Sequence, residues 1–129
     1  MQVASWKIET AWPPSANHTW RKTRGGRIYL AKEARLFRAD VMSRVAVARC
    51  NGDLPKRSLA GKLRVDMALT PPDKRRRDID NVHKALFDAL TRAGVWEDDR
   101  LVRKESTEFN EPDGRGGRVA LTITELGDD

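Results

Sequence analysis

Trp6 and Ile8 set against Lys7 and Glu9 give the first clear alternation of apolar and polar positions, which predicts a strand over residues 6–11. Pro13-Pro14-Ser15 ends it, because proline cannot donate to a ladder. Residues 17–27 are polar and carry Gly25-Gly26; with no core of their own, they are expected to order against a partner, and Ile28-Tyr29-Leu30 is expected to be a short strand. From residue 32 to about 49 the period changes. Ala34, Phe37, Val41, Val45 and Ala48 recur at three- and four-residue steps, the apolar stripe of a helix whose other face carries Arg35, Arg38, Arg44 and Arg49. Leu63, Val65, Met67 and Leu69 return to period two and run into Pro71-Pro72. Val82, Ala85, Leu86, Ala89 and Leu90 mark a second helix, with Asp80 as the expected N-cap and Gly94 as its stop. Residues 101–109 and 119–124 predict two final strands, joined through the turn-rich segment 111–117 as an antiparallel hairpin. The order predicts one small α+β domain spanning 1–129, a mixed β-sheet with two main helices packed on it.

Charge refines this outline. The net charge of +6 divides unevenly: residues 1–72 hold 14 Lys/Arg against 5 Asp/Glu (+9), and residues 73–129 hold 11 against 14 (−3). A basic half of this size suits phosphate, although it also suits simple solubility. Cys50, the only cysteine, excludes a disulfide framework and a zinc cluster, and reads as a small apolar filler. No apolar run has the length of a membrane span and no secretory signal opens the chain, so a cytoplasmic protein is expected.

The candidate chemistry lies at residues 74–99. Asp78 and Asp80 follow directly on Lys74-Arg75-Arg76-Arg77. In an extended segment residues i and i+2 face the same way, so the two carboxylates can serve one hard cation such as Mg²⁺. Lys84 stands one helical turn beyond Asp80, and Asp98 or Asp99 could close a third corner. Each residue also has a plainer role: Asp80 as a cap, Asp78 as a neutraliser of its arginines, Lys84 with Asp88 as a surface pair, and Asp98-Asp99 as an acidic turn. His83 fits a cap-associated position and is left out of the site. Trp12, Phe87 and Trp96 read as core, and Trp20 among Arg21, Lys22, Arg24 and Arg27 is the aromatic suited to stacking on an unpaired base. A nucleophilic Asp of the phosphatase kind would end a buried apolar strand, whereas three arginines precede Asp78. A metal-dependent nuclease, selective or not for branched DNA, and a non-catalytic module for branched DNA both remain open at this point.

The string Arg75-Arg76-Arg77-Asp78-Ile79-Asp80-Asn81, with Lys84-Ala85, Phe87-Asp88-Ala89-Leu90 and Ala93-Gly94-Val95-Trp96-Glu97-Asp98-Asp99, resembles the RusA family of Holliday-junction resolvases. The resemblance extends to Trp12-Pro13-Pro14-Ser15, Gly116-Gly117-Arg118 and Leu121-Thr122-Ile123-Thr124-Glu125, and so covers nearly the whole chain. It implies a homodimeric, Mg²⁺-dependent endonuclease, often carried by phages and prophages, that cuts four-way DNA junctions by paired nicks in recombination and repair. By resemblance the metal-binding carboxylates are Asp78, Asp80 and Asp99, and the catalytic lysine is Lys84. Arg75, Arg76 and Arg77, with Arg21, Lys22, Arg24 and Arg27, are the expected DNA contacts. Ala16 and His18-Thr19-Trp20 depart from the family pattern.

Overall fold

The computed structural model describes residues 4–14, 20–26 and 28–127. Ser15, Ala16, His18, Thr19 and Arg27 therefore lie outside the described residues, as do the side chains of Trp20 and Arg21. The elements are β1 (Ser5–Ala11), β2 (Trp20–Lys22), β3 (Ile28–Leu30), α1 (Lys32–Asn51), β4 (Leu63–Thr70), α2 (Ile79–Arg92), a 3-10 turn (Asp99–Leu101), β5 (Val102–Phe109) and β6 (Arg118–Glu125). No helix is long and apolar enough to cross a membrane among the described residues.

Four strands form one mixed sheet in the order β1-β6-β4-β5, which makes the domain α+β as the pattern predicted. Its register places Ile8, Leu121 and Met67 side by side, as it does Thr10, Val119 and Leu69. The alternation visible in the sequence thus becomes a single buried face. On that face the helical stripes Phe37-Val41-Val45 and Leu86-Phe87-Leu90 join Leu63, Val65, Leu121 and Ile123 in one core. Each fully buried aliphatic side chain there contributes roughly 1.5–3 kcal/mol relative to exposure. The opposite face, with Lys7, Arg64, Ala120 and Lys104, is open to solvent.

Three expectations are corrected. The last two strands are not a hairpin: β5 runs parallel to β4 after a crossover through α2, and β6 inserts antiparallel between β4 and β1. The reason is burial. β6 has an alternating apolar face that needs strands on both sides, whereas β5 is exposed along most of its length and can sit at the edge. Trp20–Lys22, taken within a partner-ordered loop, pairs instead with β3 as a small antiparallel hairpin. Cys50 is exposed, because it falls on the outer side of the last turn of α1.

Gly117 marks the return from the loop before β6. Its φ is +77°, and a Cβ there would stand 2.8 Å from the nitrogen of Pro72 and 2.9 Å from the carbonyl of Thr70. Only glycine fits where the 111–117 loop crosses the end of β4.

Candidate active site

The segment that leaves β4 is organised by Asp73. Its Oδ1 accepts from the backbone N–H of Arg75 at 2.9 Å and from Arg77 Nη2 at 2.7 Å, and its Oδ2 accepts from Arg75 Nε and Nη2 at 3.3 Å each. Arg77 Nη1 donates back to the carbonyls of Asp73 (3.1 Å) and Arg75 (3.0 Å), and the guanidinium lies 5.5 Å over the ring of Trp12. The Arg75 backbone N–H first, then the Arg77 and Arg75 guanidiniums, hold the Asp73 carboxyl down at about 2. Asp73 went unremarked in the sequence, although an Asp two residues before an Arg in a Pro-Pro turn is the signal of a side chain closing its own loop. Arg76 is exposed and enters no ion pair among the described residues.

This strap delivers the chain into α2. Asp78, not Asp80, is the N-cap: its backbone is extended and its Oδ1 accepts from the Asp80 N–H at 2.9 Å. The difference arises because the helix starts at exposed Ile79, three residues before the first residue of its apolar stripe, Val82. The cap frees Asp80, in the first helical turn, from any capping duty. Both aspartates are exposed, and neither forms an ion pair among the described residues, despite three arginines immediately before them. Asp78, Arg76 and Asn81 line a cleft of about 280 Å³, with Arg77 on its wall. A second cleft, of about 350 Å³, shares Trp12 and Arg77 with the first and reaches Lys74, Ile79 and Phe109.

Lys84 is exposed one turn beyond Asp80. The Lys84–Asp88 pair weighed from spacing does not form, since Asp88 is held by Arg38 at 2.6 Å and by Arg92 at 3.2 Å. His83 ties α2 to the sheet instead of joining the acids: its Nε2 is 2.9 Å from Glu105 Oε2, and its ring lies 3.9 Å from that of Phe87. Trp96 and Phe87 are buried as expected, packed edge to face, and Trp12 is partly buried beneath Arg77.

Asp98 and Asp99 have separate positions. Asp98 caps the 3-10 turn, accepting from the Arg100 N–H at 2.9 Å, and pairs with Arg100 Nε at 3.6 Å. Asp99 is exposed and enters no ion pair among the described residues. Within one chain it does not reach Asp78 and Asp80. Those two follow the C-terminal end of β4, whereas Asp99 precedes β5, whose first residue pairs with the first residue of β4. The length of α2, about 21 Å at 1.5 Å per residue, separates the two ends. Accordingly, no three acidic, His or Cys side chains converge as a metal cluster among the described residues. Lys22 and Arg24 are exposed on the β2–β3 hairpin.

A small α+β sheet with an unneutralised acidic helix start behind a basic strap belongs with the nucleases, and the comparisons agree. The family model of the endodeoxyribonuclease RusA matches residues 11–124, and the chain belongs to that family. It is 39% identical over 125 residues to a crossover junction endodeoxyribonuclease RusA of Escherichia coli O139:H28, across 97% of this chain and 98% of the relative. It is 38% identical, over the same shares, to proteins of that name from Escherichia coli K12 and Enterobacteria phage 82.

Proposed function

We propose that the chain, acting as one domain over 1–129, is a divalent-metal-dependent endonuclease that resolves four-way DNA junctions by paired symmetric nicks, as a homodimer in the cytoplasm. The observation that carries this reading is the contrast between neighbouring aspartates. Asp73 is neutralised by two arginines, while Asp78 and Asp80, at the head of α2, are exposed and form no ion pair among the described residues. Free carboxylates beside a phosphate-binding surface repel the substrate unless a cation stands between them, and hard oxygen donors suit Mg²⁺.

The donor set is complete only with a second copy. Asp78 and Asp80 supply two carboxylates, and Asp99, at the far end of α2, supplies the third to the site of the partner subunit. A divalent cation held there would supply acidification of the attacking water and would offset charge on the scissile phosphate. Lys84 places its ammonium on the Asp80 side of α2, where it offsets charge developing on the phosphate oxygens. Arg76 and Lys74, with Arg75 and Arg77, meet the DNA backbone, and Arg21, Lys22, Arg24 and Arg27 extend that basic path. These contacts position DNA without reading its sequence. Closed two-fold dimers are the commonest assemblies, and two symmetric nicks need two sites.

Labelled four-way junction, fork and linear duplex, incubated with Mg²⁺ and with chelator, test the activity. Mg²⁺-dependent nicking confined to the junction is expected; binding without product would leave a non-catalytic module, and equal cutting of the fork a less selective nuclease. Mixing two inactive variants tests the shared site. Asp80→Asn and Asp99→Asn should restore nicking when combined, since one of the two sites in a mixed dimer then has every ligand. No recovery on mixing would place all three carboxylates in one chain.

A further inference from the structure

We infer that the dimer of the proposed resolvase forms by antiparallel pairing of β5 with β5 of a second copy, about a two-fold axis at Ser106, so that the two sheets become one. The inference rests on the homodimeric reading above and adds the surface that makes it.

β5 is an edge of the sheet, exposed at every residue after Val102, and Phe109 is 60% exposed. Its free backbone groups can be assigned. Asn110 donates to the carbonyl of Leu69 in β4. In a parallel ladder alternate residues address the neighbouring strand, so Lys104, Ser106 and Glu108 turn their N–H and C=O toward β4. Glu105, Thr107 and Phe109 then direct theirs outward, a row of unpaired donors and acceptors of the kind that recruits another strand.

The side chains specify which strand. Pairing about a two-fold axis normal to the sheet sets each residue opposite the one equally far beyond the axis. Centred on Ser106, Lys104 faces Glu108 of the partner subunit, Glu108 faces the partner subunit's Lys104, and Glu105 faces Thr107 of the partner subunit. Lys104 and Glu108 are exposed and enter no ion pair among the described residues. They fall at non-hydrogen-bonded positions, where facing side chains approach most closely. Moving the centre back to Glu105 sets that carboxylate against its own copy, and moving it on to Thr107 loses both Lys–Glu pairs. At Ser106 the outward groups of Glu105 and Thr107 also meet as a hydrogen-bonded pair, so the backbone and the charges select the same register. The antiparallel sense carries the end of the partner's β5 that begins after Asp99 toward the end of β4 that leads into Asp78 and Asp80.

Ser106→Cys in a Cys50→Ser background tests the axis. Facing residues at a non-hydrogen-bonded pair stand about 4.5 Å apart at Cα, within disulfide reach. Mild oxidation should convert most of the protein to a crosslinked dimer, whereas Lys7→Cys on β1, the opposite edge, should stay monomeric on a denaturing gel. Charge reversal supplies a second measurement. Lys104→Glu and Glu108→Lys should each weaken dimerisation about tenfold, since each sets like charges face to face twice, and the double variant should recover it. A sedimenting dimer that neither crosslinks at Ser106 nor responds to charge reversal would overturn this interface and leave the dimeric reading standing. An active monomer at assay concentration would overturn both.

Discussion

Replacing Arg77 and Arg76 one at a time separates the strap from the DNA surface. Arg77→Ala removes a charge-assisted bond to Asp73, two bonds to main-chain carbonyls and a guanidinium stacked over Trp12. The Asp73 carboxylate lies at the surface, where solvent screens the ion pair, so the loss falls mainly on the other contacts. The two carbonyl bonds add roughly 0.5 kcal/mol each and the stack about as much again. Together these contribute about 1.5 kcal/mol, which for a domain of this size lowers the urea midpoint by roughly 0.5–1 M. Arg76→Ala removes an exposed side chain without an ion pair, so stability should stay within about 0.5 kcal/mol. Its effect should fall on DNA instead: junction binding measured by mobility shift in chelator across a salt series should lose about 0.9 in log–log slope for one phosphate contact. Equal shifts in urea midpoint for the two variants, or an Arg77→Ala variant as stable as the parent, would refute the division of labour.

Other outcomes follow from the same geometry. Asp80→Asn should abolish Mg²⁺-dependent cleavage while junction binding in chelator holds or tightens, because the change removes a repulsive charge without altering the cap on Asp78. Lys84→Ala should slow cleavage by about 10²-fold with no change in binding or urea midpoint; an equal loss of binding would make it a docking contact. Gly117→Ala should lower the urea midpoint by more than Gly114→Ala, although both have positive φ, because only at Gly117 does the new methyl meet backbone. Equal midpoints would remove the steric argument. The Asp73 carboxyl, depressed in the fold to about 2, contributes stability that is complete above the ordinary carboxylate range and is lost as pH falls from about 4 toward 2. An acid titration of stability should therefore be shallower in Asp73→Asn than in the parent over that window.

Much of the fold was legible because burial and periodicity coincide: the stripe from Ala34 to Ala48 and the alternation from Leu63 to Leu69 each match one buried face. Strand order was not legible. Neighbouring in sequence and turn-rich between them, β5 and β6 suggested a hairpin, and only the competition for the middle of the sheet separates them. At the site, the acidic pair was visible as two aspartates and their spacing, but which one caps the helix depends on where Ile79 turns, which no hydrophobic pattern records. The position of Asp99 depends on the parallel crossover, a property of topology, so its separation from Asp78 could not be read from a spacing of residues. Arg75 and Arg77 were recognised as basic; that Asp73 engages both is a matter of loop closure.

Among the described strands, the last in chain order, β6, lies between β1 and β4. β1 has no neighbour but β6, and β4 meets β1's side of the sheet only through it. A chain emerging from the ribosome can assemble the β4–α2–β5 crossover as soon as those residues are free, yet its first strand must wait for Arg118–Glu125 before it can join the sheet. Pairings this distant along the chain close slowly. A nascent fragment stopped before β6 therefore exposes apolar surface on β1, β4 and α1 together.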